Sequence, residues 1–286
     1  MMFISEIFSS KKGPVFSFEI FPPKREYPIE SIYETIEELV TLDPDFVSVT
    51  YGAAGGTKDR TVEIAGYIKK RWGKPPLAHL TCIGAHREDI LRILDELSAL
   101  EVKNVLALRG DPPKDGPAEG GDFKYAKDLV HFIREQRPGG FCVAGAAYPE
   151  GHVEAPSMAC DLINLKKKVD EGVSFLITQL FFDNELFLSF RDVARSLGIG
   201  IPITAGIMPV LNAKQISRMV SLCGASIPSA LAHLIARYER DPKGLHEAGL
   251  EYAINQIKGL IREGVDGIHL YTMNKPEVAK RIMAEL

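Results

Sequence analysis

The sequence predicts a (β/α)8 TIM barrel with extra helices between its seventh and eighth strands. Two observations carry this. Strand-like runs, each followed by a helix-like run, recur at a spacing of roughly thirty-odd residues. Eight such pairs fit within 286 residues, with no low-complexity linker to divide them. The chain is 45% hydrophobic and 25% charged, enough apolar residues for a sizeable core. Residues 1–286 are therefore expected to form one barrel domain, with a doubly wound open sheet as the runner-up.

The first strand, 15–21, reads Val-Phe-Ser-Phe-Glu-Ile-Phe and is ended by Pro22 and Pro23. Alternation puts Phe16, Phe18 and Ile20 on one face and Ser17 and Glu19 on the other. Glu19 thus stands at the C-terminal end of a strand, where a buried carboxylate is either paired with a cation or kept protonated by its surroundings. An Arg-paired structural Glu and a functional acid both fit. The other strands are 46–52, 77–84, 104–111, 141–148, 175–182, 201–210 and 267–273. Helices 31–41, 59–72, 87–100, 125–136, 157–171, 184–197, 213–222 and 276 to the end alternate with them. Ser157, after Pro156, is a candidate N-cap, and Gly172, Gly198 and Gly264 stand where helices should stop. Two more helical stretches, 228–238 and 245–262, decorate the connection between the last two strands, and their exposed sides near Leu234 and Ile254 are candidate contacts for self-association. The Pro- and Gly-rich loop 112–122 follows the fourth strand, at the active-site end of a barrel, and is a candidate lid.

Net charge is -4 and no run of five like charges occurs, which argues against nucleic acid or an anionic membrane as the main partner. The start lacks a basic n-region and no uncharged apolar run reaches eighteen residues, so a cytoplasmic location is expected. Cys82, Cys142, Cys160 and Cys223 are far apart, which favours buried free thiols over a metal or disulfide site. There is no G-x-G-x-x-G and no phosphate loop, so any nucleotide has to be held by barrel loops.

Polar residues at strand C-termini are the functional signal. Ser17 and Glu19, Ser48 and Thr50, His79 and Thr81, Arg109 and Asp111, and Gln179 are assigned the inward parity of five strands, which predicts a polar pocket at the mouth. Individually, His79 fits a hydrogen-bonded core histidine or a base, Arg109 can neutralise Glu19 or Asp111, and Gly110 either admits a ligand or marks a bulge. On the fifth helix of the alternation, Asp161, Asn164 and Lys168 share one face while Leu162, Leu165 and Val169 pack inward. That face suits a polyhydroxylated, phosphorylated ligand, and a solvated face with a Lys–Asp pair explains it equally.

Nearly end to end, the chain resembles the methylenetetrahydrofolate reductases, flavoproteins of one-carbon metabolism, in their bacterial barrel-only form. The motifs are Phe-Ser-Phe-Glu-Ile-Phe-Pro-Pro (16–23), Val-Ser-Val-Thr-Tyr-Gly (47–52), His-Leu-Thr-Cys (79–82) and Ala-Leu-Arg-Gly-Asp (107–111). They continue with Ala-Ala-Tyr-Pro-Glu-Gly-His (146–152), Asp-Leu-Ile-Asn-Leu-Lys-Lys-Lys (161–168), Ile-Thr-Gln-Leu-Phe-Phe-Asp (177–183) and His-Leu-Tyr-Thr-Met-Asn (269–274).

The resemblance implies FAD, rather than FMN, at the C-terminal end of the strands and ping-pong reduction of 5,10-methylenetetrahydrofolate to 5-methyltetrahydrofolate. Glu19 matches the general acid that opens the folate ring, and its apolar neighbours are a reason for the raised pKa a donor needs. Asp111 matches the acid beside pterin and flavin, and Gln179 a folate contact. Thr50, His79, Arg109, Gly110, Tyr125, Tyr148, His152, Asp161, Asn164 and Lys168 match flavin contacts, and Tyr271 a contact on the last strand. Two positions depart from the pattern: Met219 replaces an aromatic that stacks on the nicotinamide nucleotide, and Lys275 stands where some members have Arg. Electrons are therefore expected from NADH, NADPH or a separate partner subunit. A flavin barrel acting on another substrate, as in proline dehydrogenases, and a flavin-holding electron-relay subunit are the competing readings.

Overall fold

The computed structural model describes residues 3–24, 26–51, 58–111 and 120–286. Strands β1 (Val15–Ile20), β2 (Phe46–Val49), β3 (Pro76–Thr81), β4 (Asn104–Leu108), β5 (Cys142–Ala147), β6 (Phe175–Thr178), β7 (Ile203–Ile207) and β8 (Gly267–Tyr271) pair in chain order, all parallel, and close on themselves. Closure is set by Ser17 opposite Phe46 on one side of β1 and His269 on the other.

The helices are α1 (Ile4–Ser10), α2 (Glu30–Val40), α3 (Lys58–Trp72), α4 (Arg87–Ala99), α5 (Ala126–Gln136), α6 (Met158–Asp170), α7 (Asn184–Ser196), α8 (Ala213–Cys223), α9 (Ser229–Arg237), α10 (Pro242–Arg262) and α11 (Pro276–Met283). The expected barrel, with α9 and α10 as the extra helices, is what forms. Ser157 caps α6 by accepting from the backbone N–H of Cys160, and Gly172, Gly198 and Gly264 end α6, α7 and α10 at φ of 110°, 79° and 67°. Helix α10 starts earlier than its apolar pattern because Asp241 caps it at Gly244 and Pro242 occupies its first turn.

Alternate strand residues divide the core in two. Phe18, Val47, Ala78, Val105, Val143, Leu176, Ala205 and Ile268 pack against the helices. Val15, Phe46, Leu77, Leu106, Cys142, Ala144, Phe175 and Ile177 fill the barrel interior together with Ile4 and Ile7 of α1. Helix α1, which the sequence reading did not anticipate, thus plugs the N-terminal end. It is fastened by the Ile4 N–H donating to Asn104 Oδ1 at 2.8 Å and by Phe8 against Phe175, ring centroids 5.1 Å apart. Seven residues are too few for a helical period to declare itself.

Several expectations are corrected. On β4 the interior residue is Leu106, and Val105 and Ala107 face the helices, so Arg109 follows the outward parity. The strand stops at Leu108, so neither Arg109 nor Asp111 belongs to the inner wall. Ile254 is buried in the helix layer and is no association surface, whereas Leu234 is half-buried. Cys82 and Cys142 are buried thiols, but Cys160 is exposed and Cys223 half-buried. The lid expected over 112–122 lies mostly outside the described residues, as does Gly52. No described helix is long and apolar enough to cross a membrane.

Because Ile4 is fully buried in the interior plug, Ile4→Ala is expected to lower stability by about 2–4 kcal/mol. Urea unfolding reads this directly, and unchanged stability would show that the plug carries no load.

Candidate active site at the barrel mouth

Above the apolar plug the interior turns polar. Glu19 Oε2 lies 3.3 Å from His269 Nε2 and 3.5 Å from His79 Nε2. Each imidazole is held by a serine from a neighbouring strand: Ser17 Oγ is 2.8 Å from His269 Nδ1, and Ser48 Oγ is 2.7 Å from His79 Nε2. All four are buried, His269 completely. Burial pushes His79 down to about 4, against the pull of Glu19, so its ring is neutral near pH 7. Ser17 Oγ also reaches the Ile268 carbonyl oxygen at 3.4 Å.

The backbone that carries Glu19 is fixed from β8. Thr272 Oγ1 donates to the Glu19 carbonyl oxygen at 2.6 Å. The Asn274 side chain pairs with both backbone groups of Phe21, accepting at 3.0 Å and donating at 2.8 Å, and so extends the sheet where the prolines end it. This turn uses two consecutive non-glycine residues in the left-handed region, Met273 at φ 54° and Asn274 at φ 55°. Such backbone is costly and persists where surrounding contacts over-determine it.

Outside the inner wall, a groove of about 530 Å³ runs between the ends of β4 and β5 and helices α5 and α6. Arg109, Tyr125, Tyr148, His152, Asp161, Asn164 and Lys168 all line it, which bears out the shared face of the last three. Lys168 Nζ donates to the Ala146 carbonyl oxygen at 2.5 Å. Among the described residues no carboxylate lies within ion-pair distance of it. Burial pulls its ammonium down to about 8, while Asp161 resists. Burial also pushes Asp161 up, and Tyr148 to about 12. Arg109 forms a two-pronged pair with Glu154, at 2.5 and 2.8 Å, and so does not neutralise Glu19. Gly110 sits at φ 87°, and a Cβ there would come within 2.9 Å of Ile83. The left-handed turn and the close approach both require glycine.

The opposite wall is sulfur-rich and apolar. Met219 of α8, Tyr271 and Met273 each pack against a buried cluster that includes Leu180 and Met208. Gln179 follows β6 with its backbone N–H on the Ala147 carbonyl oxygen, and its Oε1 accepts from the N–H of Leu180. Tyr271 donates to the Thr178 carbonyl oxygen at 2.8 Å, and burial holds its phenol well above the usual range. Lys275 is half-buried at the start of α11. Asp111 is exposed, and its charge is felt by Arg109, Tyr148 and Cys223, which places it beside the groove.

The predicted residues therefore fall into three sets: Glu19 with His79 on the inner wall, the groove set, and Gln179, Met219 and Tyr271 on the opposite wall. Thr50 sits at the rim next to β1, its N–H on the Ile20 carbonyl oxygen, apart from the groove. Sequence reasoning missed His269, although it shares the parity of Tyr271 two residues on, and it missed Glu154, a loop acid with no periodic signal.

Comparison with known proteins shows the family. A family model described as "Methylenetetrahydrofolate reductase" matches residues 4–286. The 5,10-methylenetetrahydrofolate reductase of Pectobacterium carotovorum subsp. carotovorum is 41% identical over 266 residues, covering 93% of this chain and 88% of that one. The Escherichia coli (strain K12) protein of the same name is 40% identical over the same shares. A structure titled as an uncharacterized Clostridium thermocellum protein that binds two copies of 5-methyl-5,6,7,8-tetrahydrofolic acid has a TM-score of 0.74 at 16% identity, covering 99% of this chain and 100% of that one, and shows the same fold. The chain belongs to the methylenetetrahydrofolate reductase family.

Proposed function

We propose that this chain reduces 5,10-methylenetetrahydrofolate to 5-methyltetrahydrofolate in a ping-pong cycle through FAD, with NADH, NADPH or a partner subunit as the electron source. The observation that supports it most is the presence of two unlike sites toward the C-terminal ends of the strands: a cation-bearing groove, and a carboxylate on the inner wall set between two imidazoles. The groove's donor set fits the cofactor. Lys168 and Arg109 suit phosphates, Asp161 and Asn164 suit hydroxyls, and a buried ammonium without a carboxylate partner is completed by an anionic ligand. When bound, FAD supplies hydride to the folate carbon.

The chain's own residues handle the proton and the charge. Glu19 delivers a proton to the folate nitrogen whose bond to the bridging carbon breaks, and His269 Nε2, 3.3 Å from Oε2, orients its carboxyl group. Asp111 places a negative charge where the opened, cationic folate forms. Gln179 holds the pterin, while Tyr271 and Met219 form the wall behind it. A thioether at 219 can pack on a nicotinamide nucleotide, though with less geometric demand than an aromatic ring.

The decisive test is anaerobic. The flavin-loaded chain is expected to bleach with NADH or NADPH and to recover its colour on addition of methylenetetrahydrofolate. Bleaching only by dithionite, with recovery by the folate, identifies a partner-fed enzyme. No recovery by the folate after either reductant refutes the folate reading.

Lys168 sets a pH dependence. Its ammonium, faced by Asp161, loses its proton near pH 8 in the free protein, and FAD phosphates favour the charged form. Flavin affinity is therefore expected to be level below about pH 8 and to fall by up to about tenfold per pH unit above it. Titrating flavin fluorescence across pH 6.5–9.5 checks this. Lys168→Met should bind more weakly with no break, and an unbroken wild-type profile would contradict the assignment.

A further inference from the structure

Register on β6 and β7 ends at Ile177 opposite Thr204, so Thr178, fully buried, lies one residue beyond the paired segment. Both of its polar groups are nonetheless engaged. Its Oγ1 accepts from the Gly206 N–H at 2.9 Å, and its carbonyl oxygen accepts from the Tyr271 hydroxyl at 2.8 Å. Tyr271 belongs to β8, and β7 lies between β8 and β6. The phenol therefore crosses β7 to reach its partner, and it crosses at Gly206. A Cβ on Gly206 would stand 2.2 Å from the Thr178 carbonyl oxygen and 2.9 Å from both Cε2 and the hydroxyl oxygen of Tyr271. Gly206 is not among the glycines with positive φ. Glycine is required there for space and not for backbone conformation.

The tie ends one bond short of a functional residue. Gln179 follows Thr178 directly; on the other side its N–H is held by the Ala147 carbonyl oxygen at 2.7 Å. Its Oε1 is taken by the Leu180 N–H at 2.9 Å, which leaves the Nε2 protons for a ligand. With its phenol pKa well above the usual range through burial, Tyr271 keeps its proton and remains a donor throughout the working pH range.

We propose that Gly206 and Tyr271 are positioning residues for Gln179: the notch at Gly206 lets the Tyr271 hydroxyl fix the Thr178 carbonyl, and so the peptide from which Gln179 reaches the pterin. The inference rests on the reading that Gln179 binds the folate.

The test uses the full, flavin-loaded chain. Gln179→Ala is measured first, and an unchanged KM for methylenetetrahydrofolate would refute the underlying reading. Tyr271→Phe, which keeps the ring and removes the tie, is expected to raise that KM by about three- to thirty-fold. Flavin affinity and the rate of flavin reduction are expected to stay within about two-fold of wild type. Gly206→Ala should act in the same direction; if that variant does not fold, Tyr271→Phe alone decides. In the Gln179→Ala background, Tyr271→Phe should add less than about two-fold, because both changes act through one contact. If Gln179→Ala raises KM but Tyr271→Phe does not, or if the two effects multiply in full, the positioning role is overturned.

Discussion

A carboxylate within a barrel wall, set against two imidazoles and, among the described residues, no arginine or lysine, is the constraint on which the rest of the mouth depends. Glu19 is mostly buried, and its described ion-pair partners are His79 and His269 alone. An imidazole can accept a hydrogen bond as well as donate one. Ser17 engages His269 at Nδ1 and so leaves its Nε2 facing the acid, Ser48 meets His79 at Nε2 itself, and Thr272 and Asn274 hold the backbone beneath Glu19. The strained turn at Met273 and Asn274 is explained by that duty.

The cations of the site are kept elsewhere. Arg109 is turned out of the inner wall by the early end of β4 and engaged by Glu154, and Lys168 reaches the groove from α6. The buried carboxylate and these two cations thus occupy separate surfaces. Below them the interior is apolar and sealed by α1, so the working face is confined to the C-terminal end of the strands. Electrostatic attraction between these cations and Glu19 is weakened by this separation.

Much of this was legible in the sequence because it is periodic. Eight alternations implied the barrel, strand parity put Glu19 and Ser17 together, and helical spacing placed Asp161, Asn164 and Lys168 on one face. What escaped lacks a period or depends on where a period stops. Helix α1 is too short to show one. Arg109 and Asp111 were misassigned because nothing in Ala-Leu-Arg-Gly-Asp marks the residue at which the ladder ends. His269 sits in an apolar strand and reads as a core histidine until Glu19 is seen beside it. Gly206 has the look of any strand glycine, and only the phenol crossing it explains the residue.

The proton-donor role of Glu19 is tested most directly by the Glu19→Gln variant, loaded with FAD, reduced anaerobically with dithionite and mixed rapidly with methylenetetrahydrofolate. An amide keeps the shape and the hydrogen-bonding reach but cannot give up a proton, so flavin reoxidation is expected to slow by about 10²–10⁴-fold while flavin binding stays within about two-fold. Reoxidation at the wild-type rate, or flavin binding lost to the same degree, would contradict that role.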